Sequence, residues 1–287
     1  MKNENRQLAS IAAKLVSGDN FNTMIMTSST DIGVRLNNGR DGTRLGPKAL
    51  CYHFLKMNNH LDKISGLKIV EVASKSQEQE NFESSQVAEA RIISKNLESY
   101  YENLIHIGGG HDHVYPLLLS LQKLENYKKI LIINIDAHCD TRVDSNNHSG
   151  TPFRNFDESC NVDSTLIQVG IHKYANSEQT LSPLKKIKQR VVLQGDKLEL
   201  DLQDFNNEDS IVLLSLDSDG LDSSIMKAVS AVNSQGIQFK EVTDIMEQIK
   251  KLKCKKVFGI YEYNPKFDDL SNQGAKTLSH LIYKWLE

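Results

Sequence analysis

The apolar run over residues 129–135 constrains the fold of this chain more than any other stretch of its sequence. It is rich in isoleucine and leucine, and it leads directly into Asp136, His138 and Asp140. Such a run is typical of a strand buried on both faces of a parallel sheet, and open α/β sheets carry their chemistry at the carboxyl ends of the strands. In an extended backbone the three polar side chains would share one face, which indicates a metal site. The alternative is a carboxylate that caps the following helix beside a solvated histidine.

Two further strand ends carry residues of the same kind. Residues 210–216 form a second apolar run, which leads into Asp217 and Asp219. The run over residues 103–107 is followed by three glycines and then by His111. Glycines in this place let the backbone turn sharply, and neither a phosphate loop nor a dinucleotide-binding pattern surrounds them. The repetition of such clusters favours a metal site over a single helix cap.

Strand-like and helix-like segments alternate along the chain, about eight of each, which predicts an α/β fold with a mainly parallel central sheet. The last segment is a helix predicted over residues 270–286. The chain has 287 residues and no stretch that resembles a linker. We therefore expect a single domain over residues 1–287.

The composition indicates a small molecule as the partner. A formal net charge of −3 provides no basic surface for nucleic acid or for an anionic membrane. No apolar run approaches the roughly 18 to 20 residues of a membrane span, and no signal region follows the polar N-terminus, so we expect a cytoplasmic location. The four cysteines lack CxxC spacing, which argues against a disulfide framework or a zinc ribbon. We interpret Cys139 as a buried thiol.

The strand ends together offer four carboxylates and two imidazoles, from His111, Asp136, His138, Asp140, Asp217 and Asp219. Carboxylates packed this closely would have strongly raised pKa values unless cations neutralised them, so the cluster predicts divalent metal, and its size suits two ions. Oxygen-rich ligation with histidine and without thiolate favours manganese over zinc or copper. Two ions about 3.5 to 4 Å apart lower the pKa of a shared water, which predicts a hydrolase.

Five motifs, taken in order and spacing, resemble those of the ureohydrolases, the arginase and agmatinase family. They lie at residues 109–111 (GGH), 136–140 (DAHCD), 148–152 (HSGTP), 215–222 (SLDSDGLD) and 262–265 (EYNP). The resemblance implies the three-layer, arginase-like form of the α/β fold and two Mn²⁺ ions per chain. It also implies the ligand sets of the two ions: His111, Asp136, Asp140 and Asp217 for one, and Asp136, His138, Asp217 and Asp219 for the other.

Within the family, the chain is most similar to the formimidoylglutamase branch. Residues 30–42 resemble a loop of that branch, GGGH replaces the GGDH that is usual in arginases and agmatinases, and Arg142 follows the DAHCD motif. The implied reaction is the hydrolysis of N-formimidoyl-L-glutamate to L-glutamate and formamide, a step of histidine degradation. Family members commonly form trimers or hexamers, which implies a homo-oligomer.

The same resemblance suggests roles for residues outside the ligand set. Asp140 would carry a proton to the leaving amine, and Glu262 would pair with the cationic amidine. His148 is either a proton shuttle or a loop histidine, because arginases place a catalytic histidine directly before Gly-x-Pro, where this chain has Ser149. Three arginines are candidates to bind the two carboxylates of the substrate: Arg35, Arg40 and Arg142.

Three alternatives stay open at this point. An agmatinase, an arginase or another guanidino-acid hydrolase would use the same ligands, and one whose substrate has no free carboxylate would leave the arginines less to bind. A two-metal phosphoesterase would be expected to place an Asn-His pair at a strand end, whereas Asn147 and His148 lie away from one. A catalytically silent member of the fold is opposed by the presence of all six ligands and Glu262.

Overall fold

The computed structural model describes residues 9–75, 81–99 and 101–287, and within them eight strands form one sheet. The strands are β1 (Thr23–Ser29), β2 (Leu67–Ser74), β3 (Asn103–Gly108), β4 (Lys129–Ile135), β5 (Asp163–Ile171), β6 (Lys188–Leu193), β7 (Ser210–Asp217) and β8 (Lys255–Tyr261). They lie in the order β2-β1-β3-β8-β7-β4-β5-β6, and all neighbours run parallel. The predicted parallel sheet of about eight strands is therefore confirmed.

The α-helices of the described residues are α1 (Ile32–Leu36), α2 (Gly46–Leu55), α3 (Phe82–Leu97), α4 (Val114–Leu121), α5 (Pro152–Ser159), α6 (Glu178–Leu181), α7 (Phe239–Lys250) and α8 (Gln273–Leu286). Apolar residues of α2, α7 and α8 pack on one face of the sheet, and those of α3, α4 and α5 pack on the other. Along β4, Leu131 and Ile133 join the first core, whereas Ile130 and Ile132 join the second. This alternation follows from the period of two in a strand, and it confirms the predicted three layers.

Several predicted boundaries are wrong. The apolar period predicts a helix over residues 87–104, but α3 begins at Phe82 because the Asn81 side chain accepts the Ser84 backbone N–H at 2.8 Å and caps the helix there. The loop predicted over residues 28–46 contains α1 and a 3-10 turn. A first helix predicted over residues 5–16 lies partly outside the described residues.

The strand predicted over residues 129–138 also ends early, at Ile135. An Asp136 carboxylate oxygen accepts the backbone N–H of His138 at 2.7 Å, which turns the chain out of the extended conformation. The prediction that Asp136, His138 and Asp140 share one face of an extended strand is therefore wrong, because the backbone is no longer extended there.

Four neighbouring strands in the middle of the sheet bring their carboxyl ends to the same level. Ile135 of β4 lies opposite Leu216 of β7, and Asp217 of β7 lies opposite Tyr261 of β8. The next strand, β3, pairs with β8 and ends at Gly108. Residues that follow these strands are consequently delivered to one region at the carboxyl edge of the sheet.

Candidate metal centre and substrate cavity

His111 lies at the centre of the first group of candidate ligands. Its Nδ1 atom is 2.8 Å from Asp140 Oδ2, 3.1 Å from Asp217 Oδ2 and 3.3 Å from Asp136 Oδ2. All four residues are buried, and their ligand atoms lie within 4.8 Å of one another. The three strands β3, β4 and β7 thus contribute to a single cluster.

His138 belongs to a second group that shares Asp136 with the first. The Nδ1 atom of His138 is 3.4 Å from Asp136 Oδ1 and 3.4 Å from Asp219 Oδ2. Asp136 therefore directs one oxygen to each group, as the ligand sets implied by the resemblance require. Asp217 lies in the first group, and its Oδ1 atom accepts the Asp219 backbone N–H at 2.9 Å.

Residues around His111 fix the orientation of its ring. Ser215 Oγ lies 2.9 Å from His111 Nε2, the nitrogen that faces away from the carboxylates. The rings of Phe153 and Tyr261 pack against the imidazole, with centroids at 5.4 Å and 5.1 Å. The backbone N–H of His111 donates to Glu262 Oε1 at 3.0 Å. Contacts of this kind set the orientation of a metal-ligating histidine.

Two residues of the site have left-handed backbone conformations although they are not glycine. Asp140 has a φ of 52° and Glu262 has a φ of 63°. Conformations of this type cost roughly 1 to 3 kcal/mol and are concentrated at functional sites. At Asp140 the turn brings the carboxylate back to His111, which explains why the cluster forms although the strand has already ended.

Burial raises the pKa of three carboxyl groups in the cluster. The pKa of Asp140 rises to about 6 through desolvation and the nearby charge of Asp136. The pKa of Asp217 is raised by burial and by Asp136, and that of Asp219 is raised well above its ordinary value by burial and by Asp217. Mutual repulsion of this kind is what a divalent cation relieves.

In contrast to these three carboxyl groups, the two histidines and Asp136 have pKa shifts that favour their charged forms. Burial acts to lower the pKa of His111, but its contacts with Asp136, Asp140 and Asp217 outweigh it, and the pKa is raised well above the ordinary value. The Asp219 carboxylate raises the pKa of His138 in the same sense. Burial acts to raise the pKa of Asp136, but hydrogen bonds with both histidines hold it low. A proton on either imidazole would compete with a metal ion for the same nitrogen, so metal binding would release it.

The donor set fits divalent metal. Asp219 Oδ1 is buried and has no hydrogen-bond partner in the structure, an arrangement that is costly unless a cation or water is its partner. The ligand atoms of both groups are carboxylate oxygens and imidazole nitrogens, which suit manganese. Cys139, predicted as a buried thiol, is fully buried, and burial raises the pKa of its thiol to about 12. A neutral thiol is not a metal ligand.

A cavity of about 330 Å³ opens beside the two groups. Its polar floor consists of His138, Asp140, Asp217, Asp219 and Glu262. Its wall is formed by Val34 of α1 and by loop residues, namely Asn37, Asn38, Gly39, Arg40, Arg142, Ser149, Ser230 and Ala231. The size and the few convergent polar groups are those of a small-molecule site.

The three candidate arginines have different surroundings. Arg40 and Arg142 line the cavity, and Arg40 also donates to the Val229 carbonyl at 3.3 Å. Arg35 is not among the described residues that line the cavity; its Nε atom donates to Asp31 at 3.2 Å. The structure thus brings two of the three arginines to the site.

His148 is buried beside the cavity wall but is not among the described residues that line it. Its Nδ1 atom accepts the Gly150 backbone N–H at 3.0 Å, and its Nε2 atom lies 2.7 Å from Asp144 Oδ2. Ser149, the next residue, lines the cavity instead. Sequence reasoning gave no functional role to Ser149 or Asn37, and the only signal for Asn37 was its place in the loop that resembles the formimidoylglutamase branch.

Fold and site together define a parallel α/β protein with a candidate divalent metal centre at the carboxyl edge of its sheet. The family model described as Arginase family matches residues 24–286, and the chain therefore belongs to the arginase family. The predicted family, and with it a hydrolase, is confirmed. Among the described residues, no helix is both long and apolar enough to cross a membrane.

Individual members of the family are similar over most of their length. The formimidoylglutamase of Macrococcus caseolyticus (strain JCSC5402) is 29% identical over 271 residues, which cover 92% of this chain and 84% of that protein. The crystal structure of formimidoylglutamase from Bacillus subtilis subsp. subtilis str. 168 has a TM-score of 0.78 at 16% identity, with 97% and 91% coverage. The Trypanosoma cruzi formiminoglutamase solved with Mn²⁺ has a TM-score of 0.75 at 19% identity, with 98% and 97% coverage. The predicted similarity to formimidoylglutamases is confirmed.

Proposed function

We propose that this chain hydrolyses N-formimidoyl-L-glutamate to L-glutamate and formamide and that it uses two Mn²⁺ ions. The observation that carries the proposal is the pair of arginines, Arg40 and Arg142, in the wall of a cavity whose floor is the carboxylate and histidine cluster. The substrate has a cationic amidine at one end and two carboxylates at the other, so it needs both kinds of surface. The names of the similar proteins support the same substrate.

The six predicted ligands would hold the metal. Bound divalent ions would supply an activated water and polarise the reacting group. His111 would be kept in place by Ser215 and by the packed ring of Tyr261, and Asp136 would be shared between the two ions because each of its oxygens faces a different histidine. These contacts would hold the ligands, and with them the activated water, in fixed positions at the floor of the cavity.

Glu262 would orient the amidine. Its carboxylate is buried, lines the cavity and is held through Oε1 by the His111 backbone N–H. Burial and the nearby Asp217 charge raise the pKa of Glu262 well above its ordinary value. A cationic amidine beside it would favour the ionised form and would receive a charge-assisted hydrogen bond in return.

Asp140 would accept the proton that the attacking water loses and pass it to the nitrogen of the departing amine. It lines the cavity, and its buried carboxyl group lies beside His111. A proton-shuttle role for His148 stays a prediction, because its ring contacts Asp144 and Gly150 and does not line the cavity. Assembly as a trimer or hexamer, a cytoplasmic location and a place in histidine degradation stay predictions as well.

A substrate screen tests the proposal. The manganese-loaded protein would be assayed with formimidoylglutamate, arginine, agmatine and guanidinobutyrate, and formamide or urea would be measured as the product. We expect the highest kcat/KM with formimidoylglutamate, because the other three offer the arginines one carboxylate or none. A preference for agmatine would overturn the substrate assignment and leave an arginase-family hydrolase of another specificity.

A further inference from the structure

The guanidinium of Arg142 has unusually defined surroundings for an exposed side chain. The residue lines the 330 Å³ cavity beside the metal centre, here called the substrate cavity, and also a neighbouring cavity of about 280 Å³ that shares His138 and Asp140 with it. A free arginine between two such spaces would sample both and would lose roughly 2 kcal/mol of rotamer freedom on binding a carboxylate. The contacts that hold the guanidinium in one place therefore affect how tightly it can bind a substrate carboxylate.

Asn37 supplies the main polar contact. The Nη1 atom of Arg142 donates to Asn37 Oδ1 at 2.6 Å. The Asn37 amide in turn donates from Nδ2 to Ser149 Oγ at 3.0 Å, and the Ser149 backbone N–H donates to the Gly33 carbonyl at 3.1 Å. Asn37 follows the last residue of α1, so the contacts tie that helix to the loops after β4.

Gly150 limits the position of the same guanidinium from another side. The backbone N–H of Arg142 donates to the Gly150 carbonyl at 3.1 Å. A Cβ atom on Gly150 would lie 3.2 Å from Arg142 Nε and 3.3 Å from its Cζ, closer than ordinary contact. The absence of a side chain at Gly150 thus gives the planar group room to lie against the backbone.

The chemical nature of the anchor distinguishes Arg142 from Arg35 and Arg44. Arg35 and Arg44 share the buried carboxylate of Asp31, at 3.2 Å and 2.8 Å, so their charge is already partly compensated. Arg142 is held by an amide, which fixes the group without neutralising it. An arginine anchored in this way keeps its charge for an anionic ligand.

We propose that Asn37 is a positioning residue that directs the Arg142 guanidinium into the substrate cavity, where it binds a carboxylate of the substrate, and that Ser149 fixes Asn37 in turn. This inference rests on the proposed function, since it requires a substrate with a carboxylate. It assigns to the end of α1 a part in substrate choice that the metal ligands do not have.

A double-mutant cycle tests whether Asn37 acts through Arg142. KM and kcat for formimidoylglutamate, together with metal content, would be measured for the parent, Asn37→Ala, Arg142→Met and the double variant. We expect Asn37→Ala to raise KM about tenfold, with kcat within about twofold and metal content unchanged. In the Arg142→Met background the same substitution should leave KM unchanged, because the group that Asn37 positions is gone. Equal effects in both backgrounds would overturn the proposal.

The near-isosteric variant Asn37→Asp provides an independent arm if Asn37→Ala fails to fold. It retains an acceptor for Arg142 but places a negative charge beside it, so we expect KM to rise by more than about tenfold over that of the parent. A KM equal to that of the parent would contradict the role of the neutral amide. Asn96→Ala is the matched control. Asn96 lies near the end of α3, just before β3, and therefore at the amino edge of the sheet, where it donates to the Ile92 carbonyl. Its replacement should not change the kinetics.

The outcomes separate this inference from the proposed function. A parent enzyme without turnover of formimidoylglutamate would contradict the proposed function and the positioning role with it. A parent that turns over this substrate while Asn37→Ala and Asn37→Asp keep its KM would overturn the positioning role alone.

Discussion

The floor and the wall of the cavity are built in different ways. The floor consists of ionisable residues at or just after the ends of neighbouring strands, most of them buried, and the hydrogen-bonded register of β3, β8, β7 and β4 fixes where they lie. The wall consists mainly of loop residues, and single contacts between side chains, such as that of Arg142 with Asn37, hold it together. A site of this kind can keep its chemistry in the floor while the wall determines which molecule is accepted.

The largest effect is expected from a change in the floor. Asp217→Asn should reduce both metal content and turnover, by at least about 100-fold in turnover, because even residues outside the ligand set of a metal cost about 10- to 100-fold. Asp217 lies 3.1 Å from His111 and also accepts from the Asp219 backbone, so its loss would disturb both groups. Metal analysis and steady-state kinetics would be run beside Asp204→Asn, a change at an exposed carboxylate. Parent-like turnover of Asp217→Asn would place the chemistry elsewhere.

The next effect should separate chemistry from metal binding within the floor itself. Glu262→Gln keeps an acceptor for the His111 N–H but removes the charge that would orient the amidine. We expect kcat to fall about 100-fold while metal content remains that of the parent, as for a loss of substrate orientation. If metal is lost together with activity, Glu262 is a structural part of the centre and the proposed role is wrong.

A smaller effect, confined to substrate binding, is expected from the wall. Arg142→Met should raise KM for formimidoylglutamate about 10- to 100-fold at unchanged metal content, which corresponds to the loss of one charge-assisted pair. Unaltered kinetics would remove the main support for a dicarboxylate substrate.

The smallest effect distinguishes two interpretations of Arg35. If Arg35 contacts the substrate, as its place in the loop predicts, Arg35→Met should raise KM. Its pairing with Asp31 instead predicts that KM changes by less than about twofold, because the substitution would remove only a partly exposed ion pair. The variant Arg35→Met is also the matched control for Arg142→Met, since both remove one arginine near the carboxyl edge of the sheet.

The same contrast explains which parts of the site could be predicted from the sequence. The ligands were identifiable because each follows an apolar strand, and parallel strands have their carboxyl ends at one edge. Extended alternation did not account for Asp140, because its carboxylate reaches His111 through a left-handed turn that no residue pattern signals for an aspartate. Asn37 was not identified, since its partners Arg142 and Ser149 lie 105 and 112 residues away in the sequence.

One local signal in the sequence bears on the role of Arg35. Asp31 and Arg35 are four residues apart, a spacing that predicts an ion pair along a helix turn. The structure has that pair at the start of α1, with Asp31 buried and also bonded to Arg44. The spacing would have favoured a structural role for Arg35 over a substrate contact.

The number of Mn²⁺ ions per chain tests the central claim most directly. Protein dialysed against manganese and then freed of loose metal would be analysed by inductively coupled plasma mass spectrometry, with Asp217→Asn as the reference. The two groups that share Asp136 predict about two ions per chain for the parent and fewer for the variant. Fewer than one ion per chain in the parent would contradict a binuclear centre at this edge of the sheet.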